Sequence, residues 1–153
     1  GGRVFPFLLK NQNAVAIAKA EGNSLSIPKL AINKPILQLE DIKPLRSESW
    51  MVPWGSTPDK GGNTIIVGHS YNSVLGKFSR STFYDLDKME KGDEITVTWK
   101  GKNYTYVVTG KGNIKPEDIW IEDPTANAVL TIYGCGKFEN KTRNYVRAEL
   151  KLQ

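Results

Sequence analysis

Cysteine and histidine are almost absent from this 153-residue chain, which has one of each, Cys135 and His69. A single cysteine excludes an internal disulfide and any zinc site built from cysteines. The chain also lacks an apolar run of about 18 residues, so no membrane span is predicted. It has no internal repeats and no low-complexity tracts. Any reaction that needs a thiol or an imidazole therefore depends on these two residues.

Clustered charge is also missing. The net charge is +5, but the 21 Lys and Arg residues are scattered among 16 acidic residues. A positive net charge permits attraction to anionic surfaces such as lipid headgroups or a cell wall. Because the basic residues form no stripe or patch in the sequence, we do not expect nucleic acid as a partner.

The composition divides the chain at residue 23. Residues 1–23 are interpreted as an N-terminal arm or linker, in which residues 14–20 are Ala-rich and are expected to form one or two helical turns before Gly22. The chain begins Gly-Gly rather than Met, so we expect that a signal or membrane anchor has been removed. Residues 24–153 are of a size that forms one globular domain with its own core.

Alternating apolar and polar residues predict short β-strands in this domain. Residues 95–99 and 104–108 alternate strictly around a turn at 101–103 and predict a hairpin. Residues 70–81 are polar and are expected to be irregular, and 82–89 predict a short helical turn. A long connection is expected at 111–125. Seven or eight strands at this spacing are typical of a small barrel or sandwich.

The rare residues lie at predicted strand ends. Cys135 ends the apolar strand Val129–Cys135, and His69 follows Gly68 at the end of another apolar run. Taken alone, a free cysteine is more often a buried apolar residue, and a lone histidine is more often structural. Their shared position at strand ends, where side chains are accessible, instead indicates a thiol active site.

An arginine completes the predicted site. The strand Arg143–Leu150 follows Val129–Cys135 after a polar connection at 136–142, so the two strands are predicted to form a hairpin. Arg143 and Arg147 share one face by parity, and either has a simple explanation as a solvated side chain. Arg143 is nearer the turn, so we expect it to pair opposite Cys135, where a cation favours the thiolate.

At this point the residues match a known family: the chain resembles a sortase, a cysteine transpeptidase of bacterial cell surfaces. The resemblance rests on several separated motifs in the family's order, namely Ser26-Ile27-Pro28-Lys29-Leu30, the run from Asp59 to His69, the run from Phe83 to Asp93, Leu130-Thr131-Ile132-Tyr133-Gly134-Cys135 and Arg143-Asn144-Tyr145-Val146-Arg147-Ala148. It implies an all-β fold, a closed eight-stranded β-barrel with one or two short helices and the site at one end.

The resemblance also implies the chemistry. Cys135 would be the nucleophile, His69 the general acid, and Arg143 the residue that binds substrate and stabilises the oxyanion. The thiolate would attack the Thr–Gly bond of a Leu-Pro-x-Thr-Gly-like sorting signal in a secreted protein and form a thioacyl intermediate. An amine from a peptidoglycan precursor or a pilin lysine would resolve it, at the extracellular face of the membrane and without a cofactor.

Two further expectations follow from the resemblance. The family pattern before the nucleophile is usually Thr-Leu-x-Thr-Cys, and Gly134 replaces its second Thr, which favours a variant sorting signal. Residues 111–125 would be the substrate-facing loop. The candidate substrate-binding residues are Ile114, Ile119, Trp120 and Gly134, and the acids that make calcium a candidate ligand are Glu117, Asp118, Glu122 and Asp123.

Two alternatives remain open from the sequence. Gly134-Cys135 is similar to the Ser-His-Gly-Cys motif of L,D-transpeptidases, but that family needs a histidine directly before the glycine, where this chain has Tyr133. The other alternative is a non-catalytic β-barrel binding module in which Cys135 is merely buried, and slow reaction of the native thiol with a polar alkylating agent would favour it.

Overall fold

Eight strands close into a barrel in the computed structural model, which describes residues 6–40, 49–74, 77–135 and 142–152. In chain order the elements are α1 (Pro6–Glu21), β1 (Ser24–Ile27), β2 (Ile32–Leu37), β3 (Ser49–Met51), β4 (Asn63–Gly68), β5 (Tyr71–Val74), β6 (Lys77–Arg80), β7 (Glu94–Trp99), β8 (Lys102–Ile114), β9 (Val129–Cys135) and β10 (Arg143–Leu150). The predicted connection 136–142 lies, except for Thr142, outside the described residues, as do the first five residues of the predicted arm.

The barrel is mixed rather than purely antiparallel. Its order is β1-β2-β3-β4-β9-β10-β8-β7, and β7 closes on β1. β2 runs parallel to β3, and β4 runs parallel to β9, while the other neighbours are antiparallel. The expected closed eight-stranded barrel is therefore confirmed.

Two hydrophobic clusters lie on opposite faces of the sheet. The larger fills the barrel and includes Ile66, Phe83 and Ile132. The second lies outside, where α1 and the β8–β9 connection cover the sheet, and its members include Ala18, Leu37, Trp50, Ile65, Val67, Ile114, Ile121 and Tyr133. Because β4 is covered on both faces, all six of its residues are buried. This explains its continuous apolar run, which is typical of a strand buried on both sides.

Helix α1 is longer than the one or two turns expected from its sequence. Gly22, at a φ of 72°, ends it in the left-handed region. The Gly22 amide donates to the Lys19 carbonyl and the Asn23 amide to that of Ala18, the pair of bonds that closes a Schellman cap. Asn23 also accepts a hydrogen bond from the Lys100 amide at 2.7 Å. These contacts attach the helix end to the β7–β8 turn, while the division of the chain at residue 23 stays a prediction.

The structure corrects three local predictions. The β7–β8 turn is at Lys100 and Gly101, one residue earlier than expected, because both residues adopt the positive φ that a tight two-residue turn needs. β8 continues to Ile114, so the connection to β9 begins at residue 115 rather than 111. The polar segment 70–81, expected to be irregular, contains the antiparallel hairpin β5–β6, which has no apolar alternation to reveal it.

Candidate active site

Three adjacent strands bring the predicted site residues to one end of the barrel. In the parallel β4–β9 ladder Gly68 pairs with Gly134, so His69 follows directly after a paired position. In the antiparallel β9–β10 ladder Cys135 pairs with Arg143. Neighbouring strands lie about 4.8 Å apart, so the three positions are close together. The prediction that Arg143 pairs with Cys135 is confirmed.

Strand alternation assigns these positions to the outer face of the sheet. Val67 belongs to the outer cluster, and His69 lies two residues further along the chain, directly after the end of β4. Tyr133 belongs to the same cluster and precedes Cys135 by two residues. Because side chains alternate with a period of two, positions 69 and 135 share the face on which the β8–β9 connection packs.

The segment that carries His69 is held by backbone bonds. The His69 carbonyl accepts a hydrogen bond from the Phe83 amide at 3.1 Å, and the Ser70 carbonyl accepts one from the Ser81 amide at 3.0 Å. Phe83 is fully buried in the barrel and anchors its own segment. His69 itself is partly buried. The imidazole is thus carried on a backbone fixed at the barrel end.

Arg143 packs on an aromatic ring of the neighbouring strand. Its guanidinium carbon lies 5.6 Å from the centroid of the Tyr133 ring. A guanidinium over an aromatic face is attracted by the ring's quadrupole. The Tyr133 hydroxyl in turn donates to Glu122 Oε2 at 2.9 Å. Arg143 is therefore linked through Tyr133 to the β8–β9 connection.

Arg147, the competing arginine, is engaged in a different network. It pairs with Thr131 across the ladder, and its Nε donates to the Thr131 hydroxyl at 3.2 Å. Its Nη2 donates to the Ile121 carbonyl at 2.7 Å, and the guanidinium lies 5.7 Å from the Trp120 ring centroid. Burial lowers the pKa of Arg147, although a guanidinium stays charged at any ordinary pH. This arginine fastens the connection to the sheet.

Asn63 completes that anchor and was not recognised from the sequence. Its Nδ2 donates to the carbonyls of Ile121 and Asp123 at 3.1 and 2.9 Å. Its Oδ1 accepts from the Thr131 hydroxyl at 2.6 Å. In the sequence Asn63 is only the last residue of a turn-rich stretch. Its role as an anchor of the connection becomes visible in the fold, where its side chain is buried.

Comparison with known proteins shows which family the chain belongs to. Residues 25–151 match the sequence model of the sortase domain. The chain belongs to the sortase family. Sortase A of Bacillus anthracis is 26% identical over 143 residues, which cover 94% of this chain and 65% of that protein. Sortase A of Streptococcus agalactiae is 27% identical over 128 residues, or 83% of this chain and 51% of that protein. This sortase chain thus spans between half and two-thirds of these relatives.

The fold is likewise that of solved sortases. Sortase A of Listeria monocytogenes superposes with a TM-score of 0.74 at 23% identity, covering 85% of this chain and 86% of that chain. At this identity the similarity shows the fold alone. Within the described ranges, no helix of this sortase has the length and apolarity needed to cross a bilayer.

The structure separates the predicted substrate-binding residues of the sortase into two groups. Ile119 and Trp120 lie in the β8–β9 connection and expose 72% and 47% of their surface. Ile114 ends β8 and is buried in the outer cluster, which also contains Ile121 of the β8–β9 connection. Its side chain therefore offers no surface to a ligand. Gly134 is buried as well. Of the four residues, Ile119 and Trp120 are therefore the two with exposed surface.

Gly134 is tightly surrounded on the barrel side. A Cβ at this position would lie 2.9 Å from Ser70 Oγ and 3.1 Å from both the Gly68 carbonyl oxygen and Phe83 Cβ. Ser70 is fully buried, and its hydroxyl has no hydrogen-bond partner in the described structure. Gly134 stands where the usual sortase pattern has Thr, and the Ser70 side chain occupies the space that a side chain at position 134 would need. Ser70 was not identified from the sequence, because nothing in the residues around it indicates that its side chain is buried.

The acids named as calcium candidates do not gather into a cation site. Across the residues that the structure describes, no three acidic, histidine or cysteine side chains form a group that could hold a metal. The Asp118 carboxylate accepts from the Lys115 amide at 2.8 Å, and Glu122 accepts from Tyr133. These two carboxylates serve to fix the connection.

Proposed function

We propose that this sortase is a cysteine transpeptidase that cleaves a Leu-Pro-x-Thr-Gly-like sorting signal and transfers the acyl group to an amine. The observation that carries the proposal is the register of β4, β9 and β10, which brings His69, Cys135 and Arg143 to one barrel end. A thiol, an imidazole and a guanidinium are the groups that acyl transfer through a thioester requires.

The first half-reaction forms the acyl enzyme. The Cys135 thiolate attacks the carbonyl carbon of the Thr–Gly bond, and Arg143 stabilises the negative charge that develops on its oxygen. The His69 imidazolium donates its proton to the departing glycine nitrogen as the C–N bond breaks. The products are a thioester on Cys135, a free amine and a neutral imidazole.

The second half-reaction reverses these roles. The neutral His69 takes a proton from the incoming amine, which attacks the thioester carbonyl. Arg143 again stabilises the tetrahedral oxyanion, the C–S bond breaks, and the Cys135 thiolate and the His69 imidazolium are restored. A new amide bond joins the threonine carbonyl to the acceptor, so atoms and charges balance over the cycle.

The proposed binding surface for the sorting signal lies at the barrel end beside the β8–β9 connection, because the outer face of β4 is itself buried. Asn63, Thr131 and Arg147 hold the β8–β9 connection against this face. The exposed Ile119 and Trp120 are the residues of the connection that offer apolar surface. They would contact the leucine and proline of the signal, which need an apolar pocket rather than hydrogen bonds.

The proposed partners and location follow from the family. The donor would be a secreted protein with a C-terminal sorting signal, and the acceptor a peptidoglycan precursor or a pilin lysine. Both meet at the extracellular face of the bacterial membrane, where we place this enzyme. The charge of +5 suits work beside an anionic cell surface.

A product assay tests the proposal. The protein is incubated with a library of Leu-Pro-x-Thr-Gly-like peptides and a glycine-based amine, and products are identified by mass spectrometry. We expect peptides cut after threonine and joined to the amine, and none with Cys135→Ala. If no peptide is consumed and the native thiol resists a polar alkylating agent, the non-catalytic binding module becomes the better account.

A further inference from the structure

The Tyr133 side chain contacts two parts of the site, Arg143 on β10 and the β8–β9 connection. Its ring lies under the Arg143 guanidinium, with 5.6 Å between the guanidinium carbon and the ring centroid. Its hydroxyl donates to Glu122 at 2.9 Å. Glu122 belongs to the single turn of 3-10 helix at Ile119–Glu122, which also carries Trp120. One side chain thus touches both the arginine and the substrate-facing turn.

We propose that Tyr133 is a positioning residue that couples the β8–β9 connection to Arg143. This inference rests on the proposed function for its catalytic meaning. The ring holds the guanidinium beside Cys135, and the hydroxyl fixes the turn that carries Ile119 and Trp120. The position of that turn and the position of the arginine then depend on the same side chain.

The physical argument starts from the freedom of an arginine side chain. A guanidinium on a flexible aliphatic stem loses rotamer entropy when it is fixed in one place. An aromatic face opposite the guanidinium pre-orders it before substrate arrives, which lowers that cost. Tyr133 can act as such a platform because its side chain is buried in the outer cluster, with a relative exposure of 7%.

The hydroxyl has a separate task. A phenol that donates to a carboxylate makes a charge-assisted hydrogen bond, which is stronger than a bond between neutral groups. Glu122 is only partly buried. Without this bond its turn would still be held by the hydrogen bonds to the Ile121 and Asp123 carbonyls, by the buried Ile121 side chain and by the contacts of Trp120 with Arg147 and Tyr145. Removing the hydroxyl should therefore weaken the attachment of the turn, so that its backbone amides open more often, without detaching it from the sheet.

The alternative explanation is that Tyr133 only fills the outer cluster. Two substitutions separate these explanations because they remove different parts of the side chain. Tyr133→Phe keeps the ring and removes the hydroxyl, and Tyr133→Leu removes both while keeping an apolar side chain. Tyr104→Phe, in β8 and distant from the site, is the matched control for the loss of a tyrosine hydroxyl.

Steady-state kinetics give the first readout. We expect Tyr133→Phe to raise KM for the peptide about fivefold with kcat within twofold, since it affects the turn alone. Tyr133→Leu should in addition lower kcat about tenfold or more. In an Arg143→Ala background, Tyr133→Leu should have almost no further effect on kcat. An equal effect on kcat with and without Arg143 would overturn the coupling.

A second readout does not depend on activity. The Arg143 guanidinium carbon lies over the Tyr133 ring, so the NMR signals of the guanidinium protons should be shifted upfield in the wild type and in Tyr133→Phe. The shift should disappear in Tyr133→Leu. Hydrogen exchange in residues 115–128 should rise in Tyr133→Phe and not in Tyr104→Phe. Unchanged signals and exchange in all variants would overturn the proposal, whereas an inactive wild type with these shifts would overturn only the transpeptidase function.

Discussion

Arg143 lies directly opposite Cys135 in the β9–β10 ladder, whereas Arg147 lies opposite Thr131 on the same face. The two arginines differ in what they contact. Arg143 packs over the ring of Tyr133, and Arg147 donates to Thr131 and to the Ile121 carbonyl. One guanidinium is therefore placed at the proposed reaction centre, and the other supports the connection above it.

This difference predicts distinct effects of removing each arginine. Arg143→Ala should lower kcat by about 100-fold or more, the usual loss for a group that stabilises an oxyanion. Arg147→Ala should lower kcat by less than tenfold but reduce the free energy of unfolding by about 1.5–3 kcal/mol, because it breaks hydrogen bonds of a charged group. Kinetics and denaturant unfolding measure both. Equal losses of kcat would contradict the assignment.

Gly134 should not tolerate a side chain. A Cβ would approach Ser70 Oγ and the Gly68 carbonyl to 2.9 and 3.1 Å, so we expect Gly134→Ala to cost about 1–3 kcal/mol of stability. The substitution to Thr, which restores the usual family pattern, should cost more. Thermal unfolding is the measurement.

The matched control for that change is Gly110→Ala, because a Cβ there meets no atom within 4 Å. Combining Gly134→Ala with Ser70→Gly should recover part of the loss but not all of it, since the contact with Phe83 Cβ at 3.1 Å remains. If Gly134→Ala were as stable as Gly110→Ala, the close packing beside the nucleophile would not restrict residue 134.

Calcium should have no effect on turnover. Asp118 and Glu122 already accept hydrogen bonds from the Lys115 amide and Tyr133, and the connection is anchored by Arg147. Activity with millimolar calcium should therefore lie within twofold of activity with a chelator. A tenfold stimulation by calcium would mean that the connection needs a cation to order it.

Asp93 should make stability depend on acid pH. The Lys29 ammonium, 2.8 Å from its carboxylate, lowers the pKa of Asp93, as does the hydrogen bond from the Glu90 amide. The folded pKa lies below the unfolded value, so the stabilisation is present above about pH 4 and is lost as the pH falls through the folded pKa.

Unfolding of Asp93→Asn across the acid range checks this sign. The wild type should be the more stable protein at neutral pH, and the difference between the two should shrink below about pH 4. In a Lys29→Gln background, Asp93→Asn should cost less stability at neutral pH, because the ion pair is already broken. A gap between wild type and Asp93→Asn that stays constant down to pH 2 would contradict the shifted pKa.

Strand period and turn chemistry predicted much of this fold from the sequence. The alternation of Ile95, Val97 and Trp99 marked a strand with one buried face, and the spacing of Cys135 and Arg143 indicated their pairing. The hairpin β5–β6 was missed because its residues carry no apolar alternation. The end of α1 before Gly22 was expected, but its start at Pro6 was missed because the first half of the helix has no helical apolar period.

The candidate site was predictable where a residue type is rare, or where strand spacing selects a residue, as it does Arg143. Cys135 and His69 stand out because each occurs once. Asn63 and Ser70 are ordinary residues in sequence, and only their burial against distant segments gives them a role. Long-range contacts of this kind bring together positions far apart in the chain, so no local pattern encodes them.

The most direct test of the account is the intact mass of the protein after incubation with a sorting-signal peptide and no amine. We predict an added mass equal to the peptide up to its threonine, located on Cys135, removed by an amine and absent from Cys135→Ala. Cleavage of the peptide after threonine by Cys135→Ala, with no adduct on the wild type, would contradict catalysis through this thiol.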